Sequence, residues 1–284
     1  MIHYAHGLDG RIGFGSGSEG HSMPVPELPD VEGFRRYWSR YAKGKRVRQV
    51  DVPKPAIARN RSAAGLAREL RGRRLGAPDR QGKWMLAPTD GPTLALHFGM
   101  TGGLVWSGRA AERRHRHDRL ILVLDDGELR YRNMRMLGGA WLARDEGELS
   151  AILGQLGPDA ARLDCEAFDR LLERRRGGIK AALMDQRLIA GIGNELSDEI
   201  LWRARIHPSR KIASLRRRQR GALHRAMREV LESSMRRGRI PRERGWLEEQ
   251  RGRRDARCPR CGTRLRRSKI AGRTSYWCPR CQRA

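Results

Sequence analysis

Two Cys-x-x-Cys pairs near the end of the chain constrain its fold more than any other feature. Cys258 and Cys261 form the first pair, Cys278 and Cys281 form the second, and residues 262–277 separate them. In a reducing compartment this spacing indicates a metal site rather than disulfides, because four thiolates close a tetrahedral shell around one zinc ion. We therefore expect one structural Zn2+ that activates no water, in a module too small to fold without it.

The segment between the two pairs is typical of a β-hairpin that folds over the metal. Residues 268–277 read SKIAGRTSYW, with Ala-Gly between two short runs. We therefore predict a zinc ribbon over residues 251–284.

The charge balance indicates a polyanionic partner. The chain has 60 Lys and Arg against 32 Asp and Glu, a formal charge of +28. The excess is overwhelmingly Arg, whose planar guanidinium suits phosphate oxygens. A GC-rich genome would explain Arg in place of Lys, but it would not explain the surplus over acidic residues. We therefore expect the partner to be a nucleic acid.

The sequence lacks the long apolar run that a membrane helix or a secretory signal needs. This indicates a cytosolic chain, which is the reducing compartment assumed for the cysteines. We expect no membrane partner, and we expect a monomer in the bacterial cytoplasm, associated with the nucleoid.

The predicted fold class is α+β, with several domains. Residues 1–24 are rich in Gly and Ser without a sustained period, which favours disorder or a mis-assigned leader. Residues 25–145 are expected to form an N-terminal β-sandwich with a flanking helix, and residues 146–160 a linker. Residues 161–250 are expected to be helical and to precede the zinc ribbon.

Short apolar runs separated by Gly, Pro and Asp predict the strands of the sandwich. They lie at 46–52, 82–88, 93–99, 102–108, 119–124 and 128–133. The flanking helix is expected to start near Pro29 and to end at Lys43-Gly44, and Asp125-Asp126-Gly127 is a good hairpin turn.

Helical spacing dominates the next region. One helix should start at a capping Asp164, and two more should flank the turn IAGIG at 189–193. The long segment 214–237 places its apolar residues on one face. They are Leu223, Met227, Val230 and Leu231.

Taken together, seven motifs resemble, in order and spacing, the bifunctional DNA glycosylases of the formamidopyrimidine-DNA glycosylase and endonuclease VIII family. They are residues 26–32 (PELPDVE), 82–86, 96–104, 130–142, 156–160, 179–208 and the cysteine module. The resemblance covers residues 26–284. It implies a helix–two-turns–helix DNA-binding domain at 161–250 and damaged double-stranded DNA as the partner.

The resemblance implies that Pro26 is the catalytic nucleophile. In this family the initiator Met is removed, and the amine of the exposed proline attacks C1′ of the damaged nucleotide to form a Schiff base. An internal proline is a tertiary amide without a basic lone pair, so Pro26 can react only as the first residue.

Several starts remain open. Initiation at Met23 would expose Pro24, which is out of register. We favour Val25 as the true start, written Val from a GUG codon and removed before Pro26. The alternatives are a cloning remnant and a genuine extension that blocks catalysis.

The other catalytic roles come from the same resemblance. Glu27 matches the acid/base that protonates the sugar ring oxygen or a leaving group, although a first-turn carboxylate could also serve only the helix dipole. Lys83 matches a lysine that contacts phosphate and assists β-elimination, and a solvent-facing strand lysine is the alternative. Arg273 matches an arginine that grips the lesion phosphate and aids δ-elimination.

Three further residues match phosphate contacts of the family. Asn194 begins a helix after the GIG turn, where it could be an ordinary N-cap as well as a phosphate ligand. Lys180 is a weaker match, and His115 could equally be a solvated histidine among charged neighbours.

An enzyme that acts on a base in a duplex must extrude that base and fill the gap. Met100 and Arg135 match the family residues that do so, and Leu137 occupies the wedge position, where many relatives carry Phe. Asn133-Met134 replaces an Asp-Pro pair, which leaves the reading of the opposite strand open.

The resemblance therefore implies a base-excision-repair enzyme that removes an oxidised base and cuts the abasic strand by β- and δ-elimination. The alternative is a non-catalytic damaged-DNA-binding protein on the same scaffold. A zinc-ribbon RNA-binding protein would leave residues 26–32 unexplained.

The segment 238–257 bears on the lesion. It is shorter than the segment with which guanine-lesion members of the family cap a flipped 8-oxoguanine. We therefore expect weak 8-oxoguanine excision and better activity on abasic sites, ring-opened formamidopyrimidines or oxidised pyrimidines.

Overall fold

The structure of this chain is a computed structural model that describes residues 25–108, 113–173 and 175–283. The chain divides into two compact units. Of the described residues, the first unit contains 25–26 and those from Phe34 to Gly154, and the second contains Glu27–Gly33 and those from Gln155 onward. The leader predicted at residues 1–24 lies outside the described residues.

The first unit contains two four-stranded antiparallel sheets, with strand orders β1-β6-β7-β5 and β2-β3-β4-β8. Their strands are β1 (Gln49–Asp51), β2 (Asp79–Gln81), β3 (Trp84–Ala87), β4 (Thr93–His97), β5 (Gly102–Ser107), β6 (Asp118–Leu124), β7 (Gly127–Asn133) and β8 (Gly139–Ala143). The predicted β-sandwich class is confirmed. All six predicted runs form strands, and Leu124 pairs with Gly127 across the predicted hairpin turn.

The strands β2 and β8 were not predicted. The sequence of β2 is Asp-Arg-Gln, which has no intrinsic preference for a strand, and β8 begins with glycine. Each forms because it pairs with a well-defined apolar neighbour, β2 with β3 and β8 with β4. Tertiary pairing therefore overrides local propensity at both positions.

Two helices belong wholly to this unit, α2 (Ala63–Leu70) and α3 (Glu146–Leu153), and α1 (Leu28–Tyr41) belongs to it from Phe34 onward. The bounds of α1 agree with the prediction, and Gly44 follows it with φ 82°. Helix α3 lies in the predicted linker 146–160, so about half of that segment is helical. Its N-cap explains the difference, because the Asp145 carboxylate accepts a hydrogen bond from the Glu148 N–H at 2.8 Å.

The second unit is built on four helices and a β-hairpin. They are α4 (Cys165–Glu173), α5 (Ile179–Met184), α6 (Asn194–Arg203), α7 (Arg217–Arg237), β9 (Arg266–Ile270) and β10 (Arg273–Trp277). Asp164 caps α4 as predicted, since its carboxylate accepts from the Ala167 N–H at 2.7 Å. The four predicted apolar residues of α7 are all buried, and burying each Leu or Met side chain stabilises the unit by about 1.5–3 kcal/mol.

A smaller apolar cluster joins the hairpin to α6. It contains Trp202, Leu247 and Tyr276 together with Cys258 and Cys278. The backbone N–H of Tyr276 donates to the Asp198 carboxylate at 3.0 Å. The metal module is therefore packed and hydrogen-bonded onto the helical part of this unit. Among the described helices, none combines the length and the apolar character that a membrane span requires.

Candidate active site

The carboxylate of Glu27 lies at the N-terminus of α6. Its Oε2 accepts hydrogen bonds from the backbone N–H groups of Gly193 at 2.8 Å and Leu196 at 3.2 Å, and its Oε1 accepts from Glu195 at 2.9 Å. These N–H groups have no partner within the helix, and the helix dipole favours an anion at this end. The side chain is 1% exposed, so its position is fixed by the helix rather than by solvent.

This arrangement corrects the possible role of Asn194 as an N-cap. The N-cap of α6 is Gly193, which has no side chain to cap with, and Asn194 is the first helical residue. A Cβ on Gly193 would lie 2.4 Å from Cδ of Glu27. Glycine is therefore required here, because the capping carboxylate comes from a distant part of the chain and occupies that space.

Asn194 connects the start of α6 to the hairpin. Its Nδ2 donates to the backbone oxygen of Thr274 at 3.1 Å, next to Arg273, and its Oδ1 accepts from Nζ of Lys180 at 2.8 Å. Arg273 is exposed at the end of the hairpin, where it pairs with Ile270. The structure thus brings Glu27, Asn194, Lys180 and Arg273 into one connected region of the second unit.

Lys180 is used differently from the predicted phosphate contact. Its ammonium is fully buried and donates to Asp198 and Ser275, both at 2.5 Å, in addition to Asn194. Desolvation lowers the pKa of Lys180, and the negative charge of Asp198 opposes that shift. All three ammonium hydrogens thus have protein acceptors, so the residue ties α5 to α6 and β10 instead of facing solvent.

Asp30 is a site residue that sequence reasoning missed. Its carboxylate accepts a hydrogen bond from the backbone N–H of Glu27 at 2.9 Å, in the first turn of α1. Burial raises the pKa of Asp30 to about 7, and the charge of Glu27 adds to the increase. An acidic residue three positions after the helix entry was a usable signal, because it is the pattern of a capping interaction.

In the first unit, Lys83 directly precedes β3 and is half-buried. Burial lowers the pKa of His97 to about 4, and the positive charge of Lys83 contributes. His97 is therefore neutral at physiological pH, and its Nδ1 accepts from the Gly99 N–H at 3.2 Å. His97 was also missed, although it stands within the motif LHFGMTGGL.

The predicted gap-filling residues lie on two loops of the first unit. Met100 is half-buried between β4 and β5, and Arg135 and Leu137 lie between β7 and β8. Leu137 is 55% exposed and Met134 is 46% exposed, which makes them the large apolar side chains most open to solvent among the described residues. Apolar side chains displayed on one short loop are typical of a contact surface.

Asn133 and Thr101 fasten these two loops together. Asn133 is fully buried, and its Oδ1 accepts from the backbone N–H of Met136 at 2.8 Å and from Oγ1 of Thr101 at 3.2 Å. Its Nδ2 donates to the Tyr131 hydroxyl at 2.7 Å, and the Arg135 N–H donates to Oγ1 of Thr101 at 3.0 Å. The residue that departs from the family motif is therefore the one that organises the loop.

His115 is exposed, as both of its alternatives require. Its backbone N–H donates to Asp118 at 2.8 Å, and its Nδ1 accepts from the backbone N–H of His117 at 3.1 Å. The ring thus stands at the surface beside β6, and its role as a phosphate contact stays a prediction.

The four cysteines of the two pairs form a metal-binding cluster. Their Sγ atoms all lie within 4.8 Å of one another. The distance from Cys258 to Cys281 is 3.9 Å and that from Cys261 to Cys278 is 3.5 Å. Zn–S bonds of about 2.3 Å in a tetrahedron require sulfur separations of this size, so the donor set fits a structural metal. Trp202 Nε1 donates to Cys258 Sγ at 3.4 Å and orients that ligand.

Family models match most of the chain. The formamidopyrimidine-DNA glycosylase N-terminal domain matches residues 25–140, the formamidopyrimidine-DNA glycosylase H2TH domain matches residues 155–243, and the zinc finger found in FPG and IleRS matches residues 257–284. The three regions follow the order of the predicted domains.

Named relatives and solved structures agree with these matches. Formamidopyrimidine-DNA glycosylase of Mycobacterium tuberculosis is 34% identical and covers 91% of this chain and 98% of its own length; the Nocardioides enzyme is 37% identical, with coverages of 92% and 95%. The Lactococcus lactis enzyme bound non-covalently to DNA containing an AP site has a TM-score of 0.83 at 28% identity and covers 91% of this chain and 100% of its own. Other structures of that enzyme hold DNA with Fapy-dG or an oxidised pyrimidine.

Proposed function

Since this chain belongs to the formamidopyrimidine-DNA glycosylase family and is a base-excision-repair DNA glycosylase, we propose that it also cuts the abasic strand, with Pro26 as nucleophile. The observation that carries the proposal is the fixed position of Glu27, the residue next to Pro26, at the N-terminus of α6. The family match begins at residue 25, one position before Pro26, and this supports a reactive chain that starts with Pro26.

The chemistry follows from an N-terminal proline. As the first residue, Pro26 carries a secondary amine with a pKa near 8, so a useful fraction is neutral at pH 7. This amine attacks C1′ as the bond to the base breaks and the base departs; the C1′–O4′ bond of the sugar ring then opens, with a proton taken up by O4′, and the resulting Schiff base undergoes β- and then δ-elimination. Preceded by another residue, the same nitrogen is an amide and cannot attack.

Glu27 handles the proton in this scheme. Three N–H donors hold its carboxylate in place, and in this scheme it first accepts the proton that Pro26 loses as the C1′–N bond forms. It then delivers that proton to the sugar ring oxygen or to the leaving group. Because the Glu27 carboxylate does not move, the same group can accept the proton and then deliver it.

Residues of each unit serve as phosphate contacts. In the second unit, exposed Arg273 binds the lesion phosphate and aids δ-elimination, and Asn194 offers the start of α6. In the first unit, Lys83 and His115 contact phosphates, and Lys83 assists β-elimination. Lys180 acts as a positioning residue for Asn194 and β10 and does not touch DNA.

The two fastened loops replace the extruded nucleotide. Met100 and Arg135 fill the gap, and exposed Leu137 wedges into the base step. Exposed Met134 lies on the same loop and extends the apolar surface that meets the opposite strand.

The metal in the four-cysteine cluster is Zn2+. With four thiolate ligands its shell is closed, so it supports the fold of the hairpin that carries Arg273 and takes no part in the chemistry. The enzyme acts as a monomer on damaged double-stranded chromosomal DNA, without a membrane partner.

The preferred lesion is a ring-opened formamidopyrimidine, an oxidised pyrimidine or an abasic site, with weak excision of 8-oxoguanine. The segment 238–257 supports this, because its middle is packed into the second unit instead of being free to cap a flipped base. Trp246 and Leu247 are buried, and buried Glu248 pairs with Arg242 and Arg251. Single-turnover cleavage of matched duplexes tests the order of lesions, and fastest removal of 8-oxoguanine opposite cytosine would contradict it.

The lyase proposal is tested by borohydride trapping on an abasic duplex, with three chains that begin at Pro26, Pro24 and Met1. The chain beginning at Pro24 is the matched control, since it also has an N-terminal proline but places it two residues out of register. We expect covalent trapping of the first chain only. Equal trapping of an intact chain beginning at Met1 would identify another amine as the nucleophile.

A further inference from the structure

An open cavity of about 770 Å³ lies beside the metal cluster in the second unit. Cys261 and Cys281 are among its lining residues, and the remaining ones are arginines. They are Arg205, Arg210, Arg260, Arg280 and Arg283. No acidic residue of the described chain lines this arginine cavity.

The charge of the metal cluster does not account for these arginines. Four thiolates around a divalent metal carry a net charge of −2, whereas five guanidinium groups carry +5. Within the described residues, none of the five forms an ion pair with a carboxylate. The cavity therefore retains positive charge for an anion from outside the chain.

Arg260 is held in place by α6 residue Trp202. Its Nη1 donates to the Trp202 backbone oxygen at 3.2 Å, and its guanidinium carbon lies 4.4 Å from the centre of the Trp202 ring. Arg280 has the equivalent place in the second cysteine pair, because both pairs read Cys-Pro-Arg-Cys. A metal held by the four thiolates would fix the backbone on either side of these two arginines.

Arg205 provides an independent observation. It follows α6 in the left-handed backbone conformation with φ 57°, and its N–H donates to the Trp202 backbone oxygen at 3.1 Å. Glycine is the usual residue at such a helix end, because a Cβ strains this conformation. The chain keeps an exposed arginine at a position where glycine would be more stable, which indicates a role for the side chain.

We propose that the arginine cavity is a second phosphate site, which binds the phosphodiester backbone of duplex DNA away from the lesion. A guanidinium group binds a phosphate with two parallel N–H···O hydrogen bonds. An open cavity can receive the continuous backbone of a duplex, whereas a small molecule is usually bound in an enclosed one. The strand from Arg273 to Trp277 rises by about 13 Å, and the cysteine pair follows its end, so the cavity reaches other phosphates than Arg273 does. The inference rests on the proposed function only in taking DNA as the polyanion.

The decisive variant is Arg205→Gly, which removes the side chain and relieves the backbone strain. We expect an unchanged or higher Tm and one bound zinc, together with weaker binding of an undamaged duplex. The plot of log K against log salt concentration has a negative slope, and each lost phosphate contact makes it shallower by about 0.9. We therefore expect the slope to be shallower by about 0.9 in Arg205→Gly and by about 1.8 in Arg205→Gly/Arg280→Ala. The matched control is Arg170→Ala, an arginine on α4 that is 63% exposed and pairs with Glu166.

Three results would overturn the proposal. The first is an unchanged salt slope in the double variant. The second is an equal loss of duplex affinity in Arg170→Ala, which would mean that only overall charge matters. The third is loss of zinc from the arginine variants, which would mean that these arginines support the metal site. Binding of an undamaged duplex needs neither Pro26 nor a Schiff base. A failure of the lyase proposal in the trapping assay is therefore distinguishable from a failure here.

Discussion

The carboxylate of Glu27 lies 2.8 Å from the backbone nitrogen of Gly193, so a residue at the start of α1 caps the start of α6. The cap satisfies free N–H groups of α6, and it also fixes the residue beside Pro26. One interaction therefore serves the stability of the second unit and the geometry of the proposed chemistry.

Substitution of Gly193 by alanine should disable the site while leaving most of the fold intact. The added Cβ would lie 2.4 Å from Cδ of Glu27 and would displace the carboxylate. A misplacement of about 1 Å can cost about 100-fold in rate, and we expect a loss of that order in borohydride trapping by the chain that begins at Pro26. Gly178→Ala is the control, since Gly178 is also a helix N-cap and nothing lies within 4 Å of its Cβ position. Equal effects of the two changes would refute the role of the Glu27 contact.

Removal of the buried ammonium in Lys180→Met should destabilise the protein by about 3–5 kcal/mol, because it leaves Asp198 with less compensation in the interior. Arg170→Ala breaks an exposed ion pair and should cost only about 0–1 kcal/mol. Urea unfolding of the two variants measures the difference. A loss below about 1 kcal/mol for Lys180→Met would show that the cluster is easily hydrated.

Asn133→Ala should loosen the two gap-filling loops and change the preference between substrates. Extrusion of an intact lesion costs more than extrusion of an abasic nucleotide, so base excision should fall more than abasic-strand cleavage. Asn60→Ala also deletes two hydrogen bonds to the backbone of the first unit, both at Leu142 and outside these loops. It should lower stability without changing the ratio of the two rates. If Asn133→Ala leaves the ratio of base excision to abasic-strand cleavage unchanged, the order of these loops does not contribute to recognition of the lesion.

Cys261→Ala should release the metal and weaken DNA binding together, because the hairpin that carries Arg273 depends on the cluster. Elemental analysis and duplex titration measure the two effects. Cys165→Ala is the control, as Cys165 is exposed and outside the cluster. A variant that loses metal but binds DNA normally would show that the hairpin does not contribute to binding at the lesion.

Asp30 should make the protein less stable as the pH rises from about 4 to about 7. Its pKa is raised in the folded state, from 3.8 to about 7, so the folded protein binds the proton more tightly than the unfolded chain does. The associated stability is complete below about pH 4 and is lost as the pH rises through the folded pKa. Asn accepts the hydrogen bond from the Glu27 N–H but does not titrate. Asp30→Asn should therefore reduce the loss of unfolding free energy over this pH range by on the order of 1–3 kcal/mol. Urea unfolding at pH 5 and pH 8 checks the sign, and an unchanged slope would assign it to other carboxyl groups.

Local sequence signals predicted a large part of this fold. The apolar runs of the sandwich, the Asp164 cap and the buried face of α7 depend on neighbours within a few residues. The four-cysteine cluster was equally predictable, because ligand spacing and metal geometry restrict each other. The resemblance in motif order gave the family, which the comparisons confirm.

Contacts between distant segments could not be predicted in the same way. Lys180 was expected to face a phosphate, but Asp198 and Ser275 converge on it from α6 and β10 and bury it. Gly193 stands as N-cap only because Glu27 supplies the missing acceptor. No local period or propensity encodes such meetings, so the roles assigned to single site residues stay predictions.

In the proposed function the loop that carries Leu137 meets DNA, and its hydrogen bonds to Asn133 and Thr101 then bear on how the enzyme searches DNA. Because the loops are ordered in the free protein, their conformational entropy is lost during folding and not at the encounter with DNA, a saving of about 0.5–1.5 kcal/mol for each side chain held in advance. The change of shape on binding must then occur mainly in the duplex and not in these loops. With the proposed wedge role of Leu137, we expect such a preordered loop to respond first to how readily a base step unstacks and only then to the chemical identity of the base.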